Sequence, residues 1–197
     1  ITITGDGSTV GLQDTTSGAV SLESNGGSLT IGGLSTVGAV VVKNNTSSTA
    51  NGAIPSVTVN GGKVTSISNS SSNTTASSTI TINRTTNDIV VGDVTTNKGT
   101  VSVTNATVGN ITVKAGSLTI AGNNDDIGML TLGAKDTTTL SITATNSTFD
   151  GVTTANGSNL KISSWPATRD NYYGTLSLDG YSGKGIKGGT FSSDTAE

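Results

Sequence analysis

The sequence predicts an all-β chain wound as a right-handed parallel β-helix, and three observations carry that expectation. Short apolar–polar–apolar triplets recur about every ten residues. Alternate triplets fall close to twenty residues apart, a fixed period of the kind that marks stacked repeats. Hydrophobic residues make up only 31 % of the 197, against about 45–50 % apolar residues in globular domains. A narrow core shared by stacked coils needs few apolar side chains. Short strands at ten-residue spacing also fit a β-sandwich, which is the alternative.

The triplets run from Ile1–Ile3 through Val10–Leu12, Val20–Leu22, Leu29–Ile31, Val40–Val42 and Val57–Val59. They continue at Ile80–Ile82, Ile89–Val91, Val101–Val103, Ile111–Val113, Leu118–Ile120, Leu130–Leu132, Leu140–Ile142, Leu160–Ile162 and Leu176–Leu178. Period-two alternation sends both apolar residues of a triplet to one face. Val, Ile and Thr dominate, and these suit a pleated strand. Asn-Gly and Gly-Gly steps such as Asn25-Gly26-Gly27 and Asn60-Gly61-Gly62 supply tight turns. Helical spacing is absent, so no helix is expected.

The twenty-residue series reads Ile1, Val20, Val40, then Ile80, Val101, Ile120, Leu140 and Leu160. Each coil would hold two clear strands and a weaker third. With coils about 4.8 Å apart, roughly eight to ten of them make a rod of about 40–50 Å. The period blurs at Lys43–Ala53 and Ser66–Thr79, Ser/Thr/Asn-rich runs that read as loops pushed out from one face. Residues 1–197 form one solenoid domain in this reading, with an atypical part at 149–197. Every aromatic lies there: Phe149, Trp165, Tyr172, Tyr173, Tyr181 and Phe191. Bulky rings suit a cap over the open end of a stack.

Composition excludes several chemistries. The chain has no Cys and no His, which removes disulfides, thiol catalysis and His-dependent triads. A net charge of −3 with ten Lys and Arg does not make the basic stripe that nucleic acid requires. No apolar run reaches the ~18 residues of a membrane span. The start at Ile1, without Met, reads as a processed protein or a fragment.

Acidic residues mostly stand singly in turns, among them Asp6, Asp14, Glu23, Asp88, Asp93 and Asp136. Asp150 and Asp170 are the best pair, because their spacing is near one coil and would stack them on adjacent rungs. Trp165, Arg169, Tyr172 and Tyr173 lie beside the second of them. These six residues are the candidate ligand-binding group, since sugar C–H faces pack on rings and carboxylates take sugar hydroxyls. Capping structure is the competing reading of the same residues. No catalytic residue, metal site or cofactor is expected. Asn123-Asn124-Asp125-Asp126 lacks the spaced acids of a calcium loop and reads as a solvated turn.

The tail Gly188-Gly189-Thr190-Phe191-Ser192-Ser193-Asp194 resembles a phrase of large repetitive surface proteins of gut Firmicutes. Gly99–Lys114 (GTVSVTNATVGNITVK) is similar to them in style, and Ser147–Gly151 (STFDG) to parallel β-helix proteins. The resemblance implies a pectate-lyase-like β-helix, display at the bacterial cell surface outside the cell, and an adhesin-like role without catalysis. Its implied partners are host or microbial glycans, or surface proteins. A carbohydrate-binding or polysaccharide-degrading β-helix is the alternative.

Overall fold

The computed structural model describes residues 1–23, 26–43, 54–69, 77–133, 138–142, 144, 147–154, 161–162 and 172–176. They form nineteen strands. The first ten are β1 (Thr2–Ile3), β2 (Thr9–Gln13), β3 (Thr16–Ser17), β4 (Val20–Leu22), β5 (Ser28–Gly32), β6 (Thr36–Val42), β7 (Ser56–Val59), β8 (Gly62–Asn69), β9 (Ser78–Asn83) and β10 (Ile89–Thr96). The others are β11 (Gly99–Thr104), β12 (Thr107–Val108), β13 (Ile111–Val113), β14 (Gly116–Ala121), β15 (Asp126–Leu132), β16 (Thr138–Ile142), β17 (Thr148–Thr154), β18 (Lys161–Ile162) and β19 (Tyr172–Leu176). No helix occurs among the described residues.

The strands form two sheets, one of eleven strands and one of eight. The smaller sheet runs β2-β5-β7-β9-β11-β14-β16-β18, and the larger follows β1-β4-β6-β8-β10-β12-β15-β17-β19 with β3 and β13 beside that path. The chain visits the two sheets in alternation, and every strand pair among the described residues is parallel. Parallel neighbours joined through a second sheet are what a β-solenoid requires. Antiparallel hairpins, the signature of the sandwich alternative, do not occur there.

Each wall of the core is a column of stacked side chains. In the smaller sheet Leu29, Val57, Ile80, Val101, Leu118 and Leu140 lie rung on rung, each 0 % exposed. Opposite them Val20, Val40, Ile67, Val94, Ile111 and Leu130 do the same in the larger sheet. A third column, Val37, Val64, Val91, Val108 and Ile127, belongs to the weaker strand of each coil.

The larger sheet bends between the last two columns. Two successive residues escape burial at each bend: Gly38-Ala39, Thr65-Ser66, Gly92-Asp93, Gly109-Asn110 and Gly128-Met129. Two outward residues in a row break the alternation, so both flanking apolar residues face inward only if the backbone turns there. Glycine fills the first bend position in four of these five coils because successive backbones nearly touch. A Cβ on Gly92 would collide with the Thr65 carbonyl oxygen, and one on Gly128 would press on the Gly109 carbonyl carbon.

Several expectations need correction. The period is not twenty: the register offset between coils runs from 17 for Val101 and Leu118 to 28 for Leu29 and Val57. The sequence series therefore crosses columns. Val101 stacks on Leu118 rather than Ile120, and Leu140 on Ile162 rather than Leu160. Ile1 is 56 % exposed, so only Ile3 of the first triplet joins the core. The supposed loop Ser66–Thr79 is narrower than expected, since Ser66–Asn69 completes β8 and Ser78–Thr79 opens β9. Ile67, read as lying in that loop, is core. Most of Lys43–Ala53 lies outside the described residues.

Candidate functional site

The aromatic and acidic group anticipated near the C-terminus is only partly placed. Trp165, Arg169 and Asp170 lie outside the described residues. Tyr172 and Tyr173 open β19, and Asp150 sits exposed in β17. The register pairs Thr148 with Tyr172, Phe149 with Tyr173 and Gly151 with Thr175. The offset across this rung is thus 24, and Asp170, expected to stack on Asp150, lies outside the described residues. Tyr173 follows Phe149 in one column. Among the described residues no three acidic side chains gather where a metal ion could be held. No described helix is long and apolar enough to cross a membrane.

Polar side chains inside the stack serve the fold. Asn69 and Thr96 occupy one column between Val42 and Val113. Asn69 Nδ2 donates to Ser78 Oγ at 3.0 Å and to the Lys98 carbonyl at 3.3 Å, and Thr96 Oγ1 donates to the same carbonyl at 2.9 Å. Ser35 Oγ donates to the carbonyls of Gly32 (2.6 Å) and Leu12 (3.2 Å) and accepts from Thr15 N. These bonds satisfy backbone groups where the chain leaves one sheet for the other.

Asp125 is the buried ionisable residue that the sequence reading missed, since it was assigned to a solvated turn. It is 2 % exposed. One carboxylate oxygen accepts from Ala106 N at 2.9 Å, the other from Ser147 Oγ at 3.3 Å, and Asp125 N donates back to Ser147 Oγ at 2.9 Å. Burial pushes its pKa up, against the pull of the hydrogen bonds from Ala106, Ser147 and Asn105. A raised pKa means the folded chain holds this proton to higher pH than the unfolded chain does. Stability from this group is full below the unfolded value and is lost as pH rises through the folded one. Glu23 behaves oppositely: hydrogen bonds from Ser21 and Lys43, and the Lys43 charge, lower its pKa. Its contribution fades only as pH falls through the acid range. Urea melts followed from neutral pH down to the ordinary Asp value should therefore show a gain from this group on acidification that shrinks in Asp125→Asn. An equal gain in the variant would remove Asp125 as the cause.

At the bend of the larger sheet, side-chain oxygens replace ladder acceptors. Asp93 Oδ1 accepts from Asn110 N at 2.9 Å and from Asn110 Nδ2 at 3.2 Å, and Asn110 Oδ1 accepts from Met129 N at 3.0 Å. Asp93, read as a lone acid in a turn, is thus a strand residue tied to the next rung.

The most regular outward surface belongs to the smaller sheet. One outward column reads Thr9, Ser28, Ser56, Thr79, Thr100 and Ser117, and the next reads Gly11, Thr30, Thr58, Thr81, Ser102 and Thr119. An apolar residue separates the two columns on every strand, which gives the local pattern hydroxyl–apolar–hydroxyl on all of them but β2, where Gly11 takes the last place. Ser28 Oγ donates to Thr9 Oγ1 and Ser117 Oγ to Thr100 Oγ1, each at 3.2 Å. The seven strands β2, β5, β7, β9, β11, β14 and β16 contain no charged residue. Lys63, Asp93 and Asp126 all lie in the larger sheet.

Comparison with protein-family models, curated proteins and solved structures gave no match to this chain.

Proposed function

We propose that the chain is a non-catalytic, extracellular, surface-displayed protein with an adhesin-like or structural role, built as a right-handed parallel β-helix. The handedness rests on the general rule that crossovers between parallel strands are right-handed in about 98 % of cases. The nine strands along the larger sheet and eight in the smaller fit the expected eight to ten coils. The observation that carries the functional reading is the Ser/Thr wall presented by the charge-free strands β2 to β14 of the smaller sheet; Lys161 lies beyond it, in β18. A polysaccharide-cleaving β-helix needs convergent carboxylates, about 5–9 Å apart for hydrolysis. Asp14, Asp93 and Asp125 instead accept from backbone N–H groups, and Glu23 and Asp88 pair with Lys43 and Arg84. A stiff stack that repeats one polar surface suits multivalent display, in which many weak contacts add through proximity.

The test is a glycan array probed with the intact chain, with Trp165→Ala and with Tyr173→Ala, alongside a polysaccharide-cleavage assay. The expected outcome is no cleavage, and any glycan retention unchanged in the aromatic variants. Cleavage of a polysaccharide, or binding that disappears with either ring, would replace this reading with the carbohydrate-active one.

A further inference from the structure

We propose that the outward face of the smaller sheet is an ice-binding face, a role separate from surface display. Its occupant is crystalline water, and four features of the face argue for it.

The first is chemistry. The two columns from β2 to β14 present eleven hydroxyl-bearing residues and one glycine. Their strands hold no charge. An ionic group holds its own hydration shell and disrupts a water lattice, whereas a hydroxyl can stand in for a lattice water. The Thr methyl groups shed water readily and sit in the hollows between lattice positions.

The second feature is spacing. Rungs repeat about every 4.8 Å, and two residues along a parallel strand span about 6.6 Å. Oxygen atoms on the prism face of hexagonal ice form a rectangular net of similar proportions. Its short repeat is close to the rung spacing, and its long repeat is slightly more than two strand residues.

Order is the third. A lattice is matched only if the side chains are held still. Thr is stiff about χ1 because of its branched Cβ, and the inter-rung hydroxyl bonds at Ser28 and Ser117 restrain their rotamers further. Side-chain ladders are also among the devices that keep a sheet untwisted.

The fourth is the way irregularity is kept off this face. Coil offsets in the smaller sheet vary between 17 and 28, yet the pairing from Thr9 to Ser117 never slips a column. The extra residues enter at the junctions. The larger sheet has one such column, Ser21, Val41, Ser68, Thr95, Thr112 and Thr131, but no second beside it: its outward column across the bend runs Thr36, Lys63, Val90, Thr107 and Asp126.

Thermal hysteresis and ice-crystal habit, measured on the intact chain, test the proposal. The expected result is a freezing point depressed below the melting point and faceted crystals. Thr81→Lys, in mid-face, should lose at least half of that gap at equal concentration. Thr112→Lys, outward on the other sheet, should keep it. Gly11→Thr fills the one gap in the second column, where a Cβ meets nothing, and should widen the hysteresis. Circular dichroism on each variant separates loss of fold from loss of binding. Round crystals with no hysteresis from the wild type would overturn the proposal. So would an equal loss in Thr112→Lys, or a face that proves to pair with a second copy, seen as a dimer that Thr81→Lys dissociates without any effect on ice.

Discussion

Ile67→Ala is expected to cost about 2–5 kcal/mol of folding stability, the range for deleting a fully buried aliphatic side chain. Ile67 is 0 % exposed and stacks between Val40 and Val94 on the larger sheet. The rungs above and below are fixed by parallel hydrogen bonds, so the walls cannot collapse into the space left behind. A cavity term then adds to the lost transfer energy. Leu34→Ala is the contrast, because Leu34 is 76 % exposed and should change stability by no more than about 0.5 kcal/mol. Urea-induced unfolding of the two variants checks the pair. Similar midpoints would mean that the segment around Ile67 is the loop its sequence suggests.

That comparison marks where the sequence was legible and where it was not. Triplets with two inward residues, such as Leu29–Ile31 or Val101–Val103, announce themselves by alternation. Ile67 does not, because Ser66 and Ser68 flank it and the next inward residue of β8, Asn69, is polar. Val37, Val108 and Ile127 were equally hard to read. Each is a single inward apolar residue, cut off from the next along the chain by the two outward residues of a bend. The coil period misled because junction lengths differ while the walls stay in register. A spacing count adds the junctions to the walls and cannot separate them. Asp125 looked solvated because its neighbours Asn123, Asn124 and Asp126 are exposed. Only the approach of Ala106 and Ser147 from adjacent rungs gives it an interior place. Hydroxyls in the triplet centres were plain to see, but triplets of both sheets look alike. That the smaller sheet sets two hydroxyl columns side by side becomes visible only through strand pairing. Of the anticipated ligand group, Asp150, Tyr172 and Tyr173 fall on neighbouring strands of one sheet, while Trp165, Arg169 and Asp170 lie outside the described residues.

Gly116→Ala should destabilise the chain as severely, for a different reason. Gly116 opens β14 directly beneath Gly99 of β11, with φ at +116°, where L-residues are strained. A Cβ there would run into the carbonyl oxygen, carbonyl carbon and nitrogen of Gly99. The dihedral alone costs on the order of 1–3 kcal/mol. Relief of the clash by separating two hydrogen-bonded rungs adds about 1–3 kcal/mol more. No flexible side chain can swing aside, because the atoms in the way are all backbone. Gly11→Ala supplies the control, since its Cβ would meet no atom within 4 Å and its φ is not positive. Thermal melts should show a large fall in Tm for Gly116→Ala and almost none for Gly11→Ala. Equal melting temperatures would mean that β11 and β14 do not approach as closely as described.

The uniformly parallel pairing has a mechanical corollary. Inter-strand hydrogen bonds lie across the strands, so here they point along the direction in which rungs are piled. Tension applied in that direction would load one layer of bonds at a time and peel rungs off singly at low force. Tension applied along a strand would shear whole rows together and meet far greater resistance. Such a body is strong in one direction and weak in another, and the way it is tethered would decide which strength is felt.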